Sequence, residues 1–135
     1  MLSKSRPAAY FVVGVRFAVS IGFALAPEPA MRGLFGTPAT SGPARAVAAH
    51  YAVRDLGLGI GLLRALRQRR GERAWMLAGT AADVVDAAAI VATAGRKNSR
   101  TQKLLLAQMA IVVVSDCLLA ASLKSNAKTT AEPPQ

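Results

Sequence analysis

The chain has 135 residues, is 53% hydrophobic and carries a formal charge of +10. Soluble domains of this length rarely combine so much apolar sequence with so much basic charge, whereas a multi-pass membrane protein does so by bracketing apolar runs with basic loops. A nucleic-acid binder is disfavoured, because its cations would line one face of a soluble fold, and aromatic stacking residues are scarce at 5%.

A transmembrane helix needs about 20 largely apolar residues, and four stretches approach that length. The first runs from about Ala8 to Ala26, after Lys4 and Arg6. That arrangement, with the triplet Ala24-Leu25-Ala26, is similar to a secretory signal peptide. Arg16 interrupts the apolar region, however, and Pro27 directly follows the triplet, so the segment is read as a retained helix ended by Pro27 and Pro29. The connection over 27–44, PEPAMRGLFGTPATSGPA, is rich in turn residues, and its MRGLF portion suits a short interfacial turn. The second span, about Arg45 to Leu63, is ended by Arg64, Arg67, Arg69, Arg70 and Arg73. The third, about Ala74 to Ala94, is closed by Gly95 and a loop carrying Arg96, Lys97, Arg100 and Lys103. The fourth, about Leu104 to Leu123, stops at Lys124, and a disordered tail is expected over 125–135.

The expected fold is therefore all-α, a single transmembrane four-helix bundle over 1–124 with up-down-up-down order. Both termini are expected on the cytoplasmic side. That orientation puts Lys4, Arg6, the five arginines of the second loop, Lys124 and Lys128 inside, against Arg32, Arg45 and the third-loop cations outside. The high Ala, Arg and Gly content points to a GC-rich bacterial genome, and so to the bacterial cytoplasmic (inner) membrane.

Ionised groups are expensive inside a bilayer, yet Arg16, Arg54, Asp55, Asp83, Asp86 and Asp116 all lie within the apolar stretches. On the second span His50, Arg54, Gly57 and Gly61 are spaced to share a face, with Asp55 about 100° away. On the third, Gly79, Asp83, Asp86 and Ile90 share a face. The depths of Arg16, Arg54, Asp83, Asp86 and Asp116 allow them to meet near the span centres. Two arginines against four aspartates leave two acids unmatched, to be neutralised by protons or by a cationic group. Such a cluster serves either as polar glue that sets helix register or as a functional site.

Other residues carry less. Small residues recur every fourth position at Gly14, Ala18 and Gly22, and again at Gly57 and Gly61, which suits close helix contact. His50 has no second histidine to share a metal or haem, so an interfacial or hydrogen-bonded role is expected. Cys117, the one cysteine, reads as a small buried hydrophobe. Trp75 and Tyr10 lie near span ends, as in an aromatic belt. GLGIG sits inside an apolar helix and lacks the strand-then-helix setting of a nucleotide loop. No Ser-His-Asp, zinc or P-loop set can be assembled, and no cofactor or metal is expected.

The loop residues Pro27, Pro29, Phe35, Gly36, Thr37 and Pro38, the run Arg54-Asp55-Leu56-Gly57-Leu58-Gly59, and an aspartate at Asp83 or Asp86 form a pattern. Over about Gly14 to Ala121 it resembles a family of small bacterial and fungal four-helix membrane proteins, broadly DoxX-like. The resemblance implies the fold and no particular activity.

Three functions follow in order of preference. The first is an accessory or scaffold protein that packs with itself or with a larger membrane complex through the small-residue stripes. The second is a membrane-embedded acid/base enzyme, of isomerase or cyclase type, acting on a lipidic or isoprenoid substrate. There Asp83 and Asp86 would exchange the proton, Asp116 would support them and Arg54 would orient the substrate. The third is proton- or cation-coupled transport by an oligomer. Expected partners are membrane lipids and other membrane proteins, not nucleic acid.

Overall fold

The computed structural model describes residues 5–35, 38–93 and 100–123. The basic residues Lys4, Arg96, Lys97, Lys124 and Lys128, the loop residues Gly36, Thr37 and Gly95, and the expected disordered tail lie outside these. Among the described residues the chain is all-α, with helices α1 (Ser5–Leu25), α2 (Pro27–Phe35), α3 (Gly42–Gln68), α4 (Glu72–Thr93) and α5 (Arg100–Ser122). Two of them, α1 and α3, are long and apolar enough to cross a membrane, and α5 carries a shorter apolar stretch over Leu106–Ser122.

The connection read as turns contains a real helix. Pro27 cannot donate the hydrogen bond that would continue α1, but its fixed φ suits the first position of a new helix. The ladder barely breaks, since Ala26 N bonds Gly22 O at 2.9 Å and Ala30 N bonds Ala26 O at 3.1 Å. Glu28 in the first turn and Arg32 in the last oppose the helix dipole. Met31 and Phe35, one turn apart, face inward against α1 and α3.

α3 also outruns its expected span. Ser41 caps it by accepting a bond from Ala44 N at 3.3 Å, with Pro43 in the first turn. The helix then continues through Arg64 and Arg67 to Gln68, because arginine is a good helix former and ends an apolar span without ending the helix. It stops where Arg69 turns left-handed at φ 53°, with its N–H and that of Arg70 both returning to Ala65 O. Gly71, at φ 73°, completes the reversal into α4.

Successive long helices run antiparallel. Arg6 near the start of α1 reaches Leu66 near the end of α3, whereas Ser20 further along α1 reaches Ala52. Trp75 and Gly61 likewise tie the start of α4 to the latter half of α3. The strongest packing is between α1 and α3 and between α4 and α5, α3 joins α4, and α1 touches α5 only briefly. Two apolar clusters fill the interior. One gathers Ala9, Val13, Leu62, Leu66, Met76, Ala120 and Leu123, and the other gathers Phe23, Met31, Ala39, Ala48, Tyr51 and Ala52. Between them lies a charged layer.

Candidate functional site

That layer is built around Arg16, which is 7% exposed near the middle of α1. Its Nη1 donates to Asp55 Oδ1 at 2.8 Å, and its Nη2 donates to Asp83 Oδ2 at 2.9 Å. The same Nη2 lies 3.7 Å from Asp116 Oδ2, an ion pair without a hydrogen bond. One planar guanidinium thereby links α1 to α3, α4 and α5, a geometry that arginine can supply and lysine cannot. Arg54 makes the second hub: its Nη2 approaches Asp55 Oδ2 at 3.3 Å and Asp83 Oδ1 at 3.8 Å, and its Nη1 donates to Asp86. All six embedded charges thus occupy one connected cluster.

Asp55 reaches this cluster in a way that the spacing argument missed. The buried stripe of α3 runs through Ala48, Tyr51, Ala52, Asp55, Gly59, Leu62 and Leu66, about one residue round from the face that His50, Arg54, Gly57 and Gly61 would define. Asp55 is at the centre of the true stripe, and Arg54 at its edge sends a long side chain inward. The Cζ of Arg54 stands 4.7 Å from the centroid of the Tyr51 ring, which also stacks on Phe23 at 5.3 Å. His50 is exposed and meets Tyr51 edge-on at 6.2 Å. On α4 the spacing does place Gly79, Asp83 and Asp86 on the packed face.

The glycines that permit close approach are Gly59, Gly61 and Gly79. A Cβ on Gly59 would stand 2.7 Å from Phe17, one on Gly61 would run into the Trp75 ring, and one on Gly79 would run into the Arg16 guanidinium. By contrast Gly14, Gly22 and Gly57 face open space, so among the described residues the first stripe packs on nothing through its glycines and the second packs only through Gly61. Helical spacing identifies a stripe of small residues but not which neighbour it meets. Extending the Asp55 register by four would have pointed to Gly59 in the sequence; nothing there marks Gly79 as the seat of Arg16. Cys117, expected to be buried, is exposed on α5, one position round from the inward Asp116.

Beside the charged layer lies a cavity of about 820 Å³ between α1 and α5. Its walls are mostly apolar, with Phe11, Val12, Val15 and Val19 on one side and Met109, Val112 and Leu119 on the other, where Gln108, Ser115 and Ser122 are the polar exceptions. Its floor is the cluster itself, where Arg16, Arg54, Asp55, Asp83, Asp86 and Asp116 all line the space. Phe11 is 73% exposed and Ile111 67%, so the cavity opens sideways between two helices that touch only briefly. Among the described residues no three of His, Cys, Asp and Glu converge to hold a metal ion, since guanidinium groups separate the carboxylates. The arrangement accepts hydrogen bonds and positive charge at its floor and alkyl chain along its walls. Comparison with family models, with curated proteins and with solved structures finds no match, so the reading of this site rests on its geometry.

Proposed function

We propose that the chain is a multi-pass protein of the bacterial cytoplasmic membrane, and that its groove between α1 and α5 takes up a lipid-soluble molecule with the polar end at the Arg/Asp cluster. The membrane reading is supported by an inverted distribution of polarity. Leu25, Val53, Val85 and Leu118 are 65–81% exposed, whereas Arg16, Asp55 and Asp116 are buried. A water-soluble chain would place these groups the other way round. Helices of 21, 27, 22 and 23 residues all reach the roughly 30 Å of a hydrocarbon core. The end that gathers Arg6, Arg64, Arg67, Arg70 and Arg73 is then cytoplasmic.

The observation that carries the binding role is the apolar cavity that ends on buried charge. A lock made only to hold helices together would be sealed by side chains. Binding is favoured over acid/base catalysis because Asp83 and Asp86 are both engaged by guanidinium groups, and a proton-exchanging pair would first have to break those ion pairs.

The test is photo-labelling of the protein in vesicles with an alkyl diazirine probe, with peptides mapped by mass spectrometry. Labels should concentrate on α1 and α5 near Val15 and Val112, and Val112→Trp, which fills the groove, should remove them. Even labelling of every lipid-facing helix, unchanged by Val112→Trp, would exclude a specific groove. Release of the protein from membranes by alkaline extraction would exclude the membrane reading altogether.

A second reading, self-association as an accessory subunit, is favoured by the outward position of Gly14, Ala18 and Gly22. Gly14→Leu together with Gly22→Leu should then abolish an oligomer seen by cross-linking in vesicles, while the monomer keeps its melting temperature. A wild-type monomer would remove this reading.

A further inference from the structure

The groove presents acceptors in excess of donors at its floor. Arg16 and Arg54 each face three carboxylates, and the six groups sum to two positive and four negative formal charges. Asp116 is the member held least. It is 5% exposed, it lines the cavity, and its one ion pair among the described residues is the 3.7 Å approach to Arg16, too long for a hydrogen bond. No donor among the described residues lies within hydrogen-bond distance of this carboxylate, and groups so deep in a protein are rare unless something else completes them. Asp83 and Asp86 border the same space with their remaining lone pairs.

We infer that the ligand of this groove is an amphiphile with a protonated amine head, the ammonium donating to Asp116 and the alkyl portion lying along Val12, Val15 and Val112. This rests on the groove reading above and adds the sign of the head group. An ammonium brings donors and no acceptor, which matches a floor short of donors. An anionic head would meet two surplus negative charges and terminal guanidinium nitrogens already engaged, and the one donor left without a partner there among the described residues, Arg54 Nε, is itself fully buried and does not open on the groove. A neutral hydroxyl could bond Asp116 but would leave the charge excess unchanged. The walls set the other requirement, since a polar amine without a chain would leave the apolar cavity unfilled.

The experiment compares dodecylamine, dodecanol and dodecanoate, which share one chain and differ in head, by native mass spectrometry of the full-length protein in non-ionic detergent. Dodecylamine should bind about ten- to a hundredfold more tightly than dodecanol, the range expected of a charge-assisted hydrogen bond in a buried site, and dodecanoate should bind weakest. Asp116→Asn should reduce the amine to the level of the alcohol. Equal binding of amine and alcohol would overturn the amine head yet leave the groove reading standing, as would an amine preference that survives Asp116→Asn. Failure of all three chains to bind would overturn both. The wild-type comparison needs no variant, so a misfolded Asp116→Asn protein does not remove the test.

Discussion

Arg16 holds carboxylates from three other helices, so its removal would leave buried acids facing one another across the bundle. Breaking a buried ion pair by deleting one partner costs about 3–5 kcal/mol, and Arg16→Leu is expected to lose at least that much in an SDS-unfolding titration in mixed micelles. Arg16→Lys should recover only part of it, because one ammonium cannot span Asp55 and Asp83 in the fork geometry seen here. Gly79→Ala acts on the same guanidinium from beneath, where a Cβ would displace Nη2 and crowd Cζ at 3.0 Å. Overpacking of this kind costs about 1–3 kcal/mol, whereas Gly57→Ala, with open space around it in a helix interior, should cost nothing and stabilise by up to about 1 kcal/mol in the same titration. Charge in an apolar run is conspicuous in a sequence, which is why every member of the cluster was identifiable before its partners were known. Glycine is not conspicuous in that way. Gly79 and Gly57 both sit in the interior of an apolar helix, and the residue across the interface is what distinguishes them.

At the level of elements, the long helices were legible from their apolar lengths and their basic boundaries. Two features were not. Proline content in 27–38 suggested irregular chain, but proline forbids only the continuation of a helix, and α2 begins on the very residue that stops α1. The face of α3 was displaced by one position because Arg54 and Asp55 are adjacent and both polar, and spacing alone does not tell which of them faces the core and which reaches in from the side. The link from α3 to α4 makes a separate prediction. Gly71 has φ 73° with nothing within 4 Å of a built Cβ, so Gly71→Ala should cost about 1 kcal/mol through the backbone alone, readable as a lower melting temperature. Gly71→Asn should cost less, since asparagine tolerates this conformation.

For the molecule as a whole, the inversion of polarity makes Cys117 a reporter. It is exposed on α5 and one position from Asp116, which on the membrane reading places it toward lipid at the depth of the charged layer. In intact membranes Cys117 should resist a charged maleimide and should react once SDS unfolds the protein. Rapid modification in the folded state would place α5 in water. The composition points to a membrane class, of which two helices long and apolar enough to cross are seen, and antiparallel order follows from short connections; the lateral cavity has no sequence signal, because it arises from two helices distant in the chain that meet only briefly.

The chain order of the ion pairs bears on how the protein is made. Arg16 is translated first, Asp55 follows 39 residues later, and Asp83 follows 67 residues later. On the membrane reading, the arginine enters the insertion machinery before any of its acids exist, at a cost of about 2.5–3.5 kcal/mol near the bilayer centre. α1 is therefore expected to settle across the bilayer only once α3 supplies Asp55, so that the two helices enter as a pair. Nascent chains truncated before Asp55 should leave α1 poorly inserted in a glycosylation-mapping assay, while chains extended through Gln68 should insert it. Asp55→Ala in the longer chain should return α1 to the poorly inserted state.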